Sequence, residues 1–344
     1  MLYVTTRDKT DAFTAPRTLS ADRGPDGGLF VPFRMPKLTP EEVCALADMN
    51  FGKIVADILN RFFSANLTGW DVEFCVGRNP VKHTSMNYRI WVAEMWHNQN
   101  WNFRWLQEHL LERISGKQQP VTDWGNIAVR IAVLFGIFGE HMKNGTVDLD
   151  HPMDVAVMAG DFSGPMAVWY AREMGLPVGT IICSCNENGA PWDLLHRGQI
   201  HTDSVAVSTG IPEADYSLPP DLERLIYAVL GFEENRKYTE ICHHGRLYEP
   251  DEESAERLSS GLFGAVVSRK RMEGIIRNVS KSGNYLLDPA GAFAYGGLQD
   301  YRAKTGVTGP ALILSERSPS AAADIVASSL GIPVRTLLDQ LQKR

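Results

Sequence analysis

An α/β fold is predicted by three features of this chain. Residues 154–183 hold a strand–helix–strand unit. The apolar run Val155-Ala156-Val157-Met158-Ala159 leads through a tight Gly160–Pro165 loop into a helix from Met166 to Met174, and Gly175 and Pro177 end that helix before a second apolar run, Val178 to Cys183. Parallel strands joined by a crossover helix are buried on both faces, so such strands read as unbroken apolar runs rather than alternating ones. Ala311-Leu312-Ile313-Leu314-Ser315 is a further run of this kind late in the chain. Amphipathic helical stripes separate the runs, and that alternation is the pattern of a layered α/β domain.

Each element has its own local signal. Tyr3-Val4-Thr5 and Phe30-Val31-Pro32 read as short strands, the second following a Gly-Gly turn. Thr39-Pro40-Glu41-Glu42 starts a helix, with Thr39 as N-cap, Pro40 in the first turn and Glu42 at the capping-box position. Ile54, Ile58, Leu59 and Phe62 fall at helical spacing, as do Leu106, Leu110, Leu111 and Ile114 up to the stop at Gly116, and then Ile127, Ile131, Leu134, Phe135 and Phe138. Asp221 is placed to cap a helix running through Tyr227, Ser318-Pro319 to open another, and residues 334–344 to form a terminal amphipathic helix. The acidic stretch Glu249–Glu253 reads as a solvated helix entrance.

Composition narrows the function. The chain has 344 residues, 44% hydrophobic and 22% charged, enough for a large core in more than one lobe. A net charge of −7 argues against nucleic-acid binding. No apolar run approaches the roughly 20 residues of a membrane span. The opening Met1–Arg7 lacks the layout of a signal peptide, so a cytoplasmic protein is expected, with no membrane partner. Five cysteines, Cys44, Cys75, Cys183, Cys185 and Cys242, suggest reduced thiols. Cys183 and Cys185 share one strand face as buried thiols, and with no second pair at matching spacing no metal site is assigned. Cys242-His243-His244 is read as an exposed loop.

Several motifs, in shared order, carry a family resemblance. Tyr3-Val4-Thr5-Thr6-Arg7 leads to Asp26-Gly27-Gly28-Leu29-Phe30-Val31-Pro32. The run Glu94-Met95-Trp96-His97-Asn98-Gln99-Asn100-Trp101-Asn102-Phe103-Arg104 follows, then Ala159-Gly160-Asp161-Phe162-Ser163-Gly164, Arg172–Pro177, Asn186-Glu187-Asn188, Glu223-Arg224-Leu225 and Leu287–Ala292. Together these resemble threonine synthase over nearly the full length. The resemblance implies a threonine-synthase-like N-terminal α+β lobe over residues 1–80. It also implies a reduced fold-type II (tryptophan synthase β-like) parallel-sheet core over residues 81–344.

The same resemblance implies pyridoxal-phosphate chemistry, and the departures fall on that chemistry. Laid on the family's Glu-Leu-Phe-His-Gly-Pro-Thr-x-Ala-Phe-Lys-Asp segment, His97 and Phe103 match and Arg104 stands at the lysine. A guanidinium stays protonated and cannot form an imine, although it can pair with an anion or form a structural ion pair. In the phosphate loop Asp161 places a carboxylate where the family has a neutral amide. Two anions a few Å apart repel by about 1–4 kcal/mol at effective dielectrics of 80 to 20. At the pyridine-nitrogen segment Leu314-Ser315-Glu316, Glu316 replaces a hydroxyl residue. Leu287-Asp288-Pro289-Ala290 lacks the family's histidine.

Arg104 and Gly160 are separated by 55 residues where the family carries a whole subdomain, so an internal deletion between about 105 and 154 is expected. Asn126 and Arg130-Ile131 echo the family's Asn-Trp-x-Arg-Ile imperfectly. The expected cleft has Arg104, Gly160, Asp161, Phe162, Ser163, Gly164 and Ser315 as ligand-binding residues. His97 and Glu316 are the acid–base candidates, with Trp96 and Trp101 as an aromatic wall or interface. No cofactor is expected unless pyridoxal phosphate binds without covalent attachment, or through Lys82 or Lys117. A pseudoenzyme that binds a small anionic metabolite, or serves as a homodimer or hetero-oligomer subunit, is the first reading. A divergent enzyme of amino-acid metabolism in the old cleft is the second.

Overall fold

The computed structural model describes residues 1–87, 89–97, 103–282 and 285–342. At the N-terminus, β1 (Leu2–Thr5), β2 (Phe13–Thr14) and β3 (Phe30–Pro32) form a small antiparallel sheet in the order β2-β1-β3. The next strands along the chain are β4 (Lys82–Asn87), β5 (Ile90–Glu94), β6 (Met153–Met158) and β7 (Val178–Cys185). The two-residue strands β8 (Ile200–His201) and β9 (Leu247–Tyr248) pair with each other, and β10 (Leu262–Val266) and β11 (Ala311–Ser315) complete the set. The main sheet has the order β10-β7-β6-β11-β5-β4 and is parallel except for the β4–β5 hairpin at one edge. The predicted α/β class is the observed one.

Side-chain parity divides the core. Val155 and Val157 of β6, Leu312 and Leu314 of β11, and Cys183 and Cys185 of β7 pack into one hydrophobic cluster. Ala156, Ile313 and Ile182 pack into the other. Successive strand residues point to opposite faces, so each apolar run feeds both layers. The two thiols share a face and are buried, as expected, and burial pushes both up, Cys185 to about 12.

The N-terminal elements dock onto the first cluster. The capping box at Thr39 and Glu42 forms as read: Thr39 N–H donates to Glu42 Oε2 at 2.8 Å and Glu42 N–H to Thr39 Oγ1 at 3.2 Å. The helix Phe51–Phe63 packs against the long helix Asp123–Lys143. Tyr3 donates from its hydroxyl to the Phe62 carbonyl at 2.8 Å, and the Tyr3 and Phe62 rings each meet fully buried Trp124 edge-on at 5.6 Å.

Three local expectations need correction. The helix expected from Met166 begins at Ser163, because Pro165 suits a first turn that needs no N–H of its own. Pro319 opens a 3₁₀ turn, Pro319–Ala322, and the helix proper starts at Ala323. Cys242 and His243 close the helix Phe232–His243 instead of lying in a loop; Asn235 and Tyr238 give that helix its buried side. The acidic stretch does enter a helix, Glu252–Ser259, with Asp251 accepting the Ser254 N–H at 2.8 Å. Among the described residues no helix is long and apolar enough to cross a membrane.

The close approach of the two long helices sets a test. A Cβ at Gly136 would stand 2.6 Å from the Phe51 ring, which is buried and cannot swing away. Alanine contributes about 1 kcal/mol of helix propensity over glycine, while overpacking costs about 1–3 kcal/mol. Gly136→Ala should therefore destabilise the chain by about 1 kcal/mol, seen as a lower urea midpoint at unchanged slope.

Candidate functional site

A cavity of about 430 Å³ opens at the carboxyl ends of β6 and β11, where α/β sheets usually place their ligands. Its floor is the Gly160–Gly164 loop, in which Gly160 has φ +49° and Phe162 φ +71°. Phe162 is an uncommon residue for the left-handed region, and its ring is fully buried in the core. The helix Phe103–Ser115 supplies Arg104 and Gln107, and the first turns of Asp123–Lys143 supply Asp123, Asn126 and Arg130. Glu213 and Tyr216 close another side.

The loop satisfies part of its own polar backbone. Asp161 Oδ1 accepts the Ser163 N–H at 2.9 Å and the Ser163 hydroxyl at 2.6 Å. A helix N-terminus offers free N–H groups to an anion. Here Asp161 takes the first and Pro165 has none to give. Across the cavity Glu316 forms an ion pair with Arg130, whose Nε donates to Asn126 Oδ1 at 2.8 Å. Burial pulls the Arg130 pKa down, opposed by Asp161 and Asp221.

Behind the cavity lies a buried ionic hub. The Arg224 side chain is fully buried and donates to the Phe30 carbonyl from Nε and Nη2 at 3.3 and 3.2 Å, to Asp123 at 2.8 Å, and to Asp221. Asp221 was expected to cap the helix Leu222–Leu230 with its side chain. It stands at the N-cap position, but its carboxylate turns to Arg224 instead. Burial pushes the Asp221 carboxyl up and Arg224 opposes that, with Asp123 and Asp161 adding to the rise. Burial works against the Arg224 charge, but Asp123 and Asp221 outweigh it and hold the guanidinium protonated. Next door, Glu223 accepts from Thr6 and from Arg7 Nε and Nη2 at 3.0 and 2.9 Å.

Of the residues read from the sequence, Arg104, Gly160, Asp161, Ser163, Gly164 and Glu316 line this cavity. Phe162 lies beneath it, and Ser315 faces the other side of the sheet, where its hydroxyl donates to Asp288 Oδ1 at 2.8 Å and accepts from Trp96 Nε1 at 2.9 Å. Trp96 is thus a buried structural donor. His97 stands apart beside Glu94, Nδ1 to Oε2 3.6 Å. Lys82 reaches the same Glu94 at 3.9 Å, Lys117 is exposed, and neither lines the cavity. Trp101 and residues 98–102 lie outside the described residues. Gln107, Asp123 and Asp221 were not anticipated as lining groups. Asn126 and Arg130 carried the one available signal, an i,i+4 spacing that puts both on one helix face.

Comparison with known proteins follows the same line. Residues 2–79 match the model for the threonine synthase N terminus. The human protein "Threonine synthase-like 1" is 23% identical over 179 residues, half of this chain and 24% of that relative, so the chain spans only about a quarter of the curated relatives it matches first. The structure of a PLP-bound threonine synthase from Brucella melitensis superposes with a TM-score of 0.84, at 17% identity, over 96% of this chain and 92% of that one. The chain has the threonine synthase fold. The yeast threonine synthase agrees, with a TM-score of 0.78 at 16% identity over 96% of this chain and 90% of the other. In this chain no lysine lines the cavity among the described residues.

Two measurements probe the polar framework. Arg224→Leu leaves buried Asp221 and half-buried Asp123 without compensation, and breaking a buried pair costs about 3–5 kcal/mol. Adding Asp221→Asn to that variant should recover part of the loss in denaturant unfolding. Burial pushes the Asp288 carboxyl from its ordinary 3.8 to about 6, against hydrogen bonds from Ser315 and the Gly291 and Ala290 amides. The folded state then binds more protons than the unfolded one between these values, so this contribution is full below pH 3.8 and is lost as pH rises through about 6. The melting temperature of wild type relative to Asp288→Asn should fall across that window.

Proposed function

We propose that this is a threonine-synthase-like protein that does not carry out pyridoxal-phosphate chemistry and that holds a small metabolite in the cavity at the strand ends. One observation carries the reading: among its described lining residues the cavity has three guanidiniums, six carboxylates and no lysine. Pyridoxal phosphate needs an amine for its imine and N–H donors for its phosphate. Arg104 offers no amine at neutral pH. The Asp161 carboxylate already occupies the Ser163 N–H, at 2.9 Å. The residues present do not fit that cofactor.

The absence of a covalent site is directly measurable. The purified chain titrated with pyridoxal phosphate should develop no visible absorbance band, and borohydride treatment followed by peptide mass mapping should find no pyridoxyl-lysine. A single stoichiometrically modified lysine would overturn the proposal.

A further inference from the structure

We propose that the cavity takes a small organic cation carrying a primary ammonium group, in place of the anionic metabolite expected from the sequence. This deepens the reading of the cavity as a ligand site and rests on it.

Charge is the first support. Asp22, Asp123, Asp161, Asp221, Glu213 and Glu316 all line the cavity. The three lining guanidiniums are each engaged within the chain. Arg104 Nε reaches Glu108 at 3.2 Å, Arg130 pairs with Glu316, and Arg317 Nη1 lies 3.0 Å from Glu213. Arg224 contributes one positive charge from behind, shared between Asp123 and Asp221. The lining keeps an excess of negative charge. A phosphate beside Asp161 would add to it, at a repulsion of about 4 kcal/mol for two charges 4 Å apart at an effective dielectric of 20.

Unfilled acceptors are the second support, and the neutral Gln107 is independent of the charge count. Gln107 is 3% exposed, and its Nε2 donates to the Asn126 carbonyl at 3.3 Å and to Asn126 Oδ1 at 2.5 Å. Its orientation is fixed. Asn126 Oδ1 also accepts from Arg130 Nε, so both groups facing the Gln107 nitrogen are acceptors. Gln107 Oε1 therefore points at no donor within the described chain. Asp221 repeats the pattern: its side chain is 4% exposed, Oδ1 engages Arg224, and Oδ2 has no hydrogen-bond partner among the described residues.

Both side chains line the one cavity. They reach it from either side of the helix that begins at Asp123, with Asn126 touching Gln107 and Asp123 sharing Arg224 with Asp221. Neither oxygen is among the buried atoms sealed off without a partner, so both stay open to a donor entering the cavity. An ammonium group brings three N–H donors and a positive charge and answers both needs at once. A carboxylate brings acceptors only, and a phosphate brings further negative charge.

Isothermal titration of the full chain tests this, with 1,4-diaminobutane as the cation probe and inorganic phosphate as the anion probe. The diamine should bind saturably at one site and phosphate at least about tenfold more weakly, the weight of one hydrogen bond to a charged group. Gln107→Leu should weaken diamine binding by about tenfold or more, with the far-ultraviolet circular dichroism unchanged. Asp221→Asn should act likewise, and Gln107→Leu stands alone if the former fails to fold. Tighter binding of phosphate than of the diamine would overturn the inference and leave the ligand site standing. Diamine binding that both cavity variants leave untouched would place the site elsewhere and overturn it. No saturable binding by either probe would overturn the inference together with the reading beneath it.

Discussion

A guanidinium held out of water between two carboxylates organises this molecule. Arg224 has no exposed side-chain surface, and through it three distant parts of the chain are joined: the Phe30 carbonyl of β3, Asp123 at the head of the long central helix, and Asp221 at the head of its own helix. Taking such a group out of water costs several kcal/mol, and only the convergence of all these acceptors offsets it. The neighbouring Glu223 fastens Thr6 and Arg7 in the same way. The Thr-Thr-Arg opening and the Glu-Arg-Leu motif lie more than two hundred residues apart in sequence and are two halves of one contact.

The same hub builds the cavity wall. Asp123 and Asp221 turn one oxygen each toward Arg224 while lining the cavity from the other side. Structural and site electrostatics are therefore not separable here. The stability of the N-terminal docking and the negative potential of the cavity are set by the same carboxylates, and a substitution aimed at one alters the other.

Much of this was legible in the sequence because it is local. A capping box needs only residues three apart, and Thr39 and Glu42 form it as read. Apolar runs with a Gly-rich turn between them specify a crossover unit, and β6, the helix and β7 follow. Of the site, Asp161 and Glu316 were legible because they interrupt an ordered set of motifs. Ser315 and Phe162 belonged to the same motifs yet do not line the cavity. Parity explains Ser315: Leu314 and Glu316 face the cavity, so the residue between them faces away. That alternation was available from the sequence and outweighs motif membership. Gln107 lacked any such signal, since its role arises only where two helices meet. The cap expected of Asp221 was overridden by a buried cation that no local pattern announces.

Asp161, folded back onto the start of its own helix, also bears on how such a chain can change over generations. A lysine arriving at position 104 would find the neighbouring anion seat already taken. An asparagine arriving at 161 would take the negative charge from the seat in a cleft where no lysine lines the wall among the described residues. On the reading proposed above neither step helps without the other, and the present arrangement acts as a ratchet.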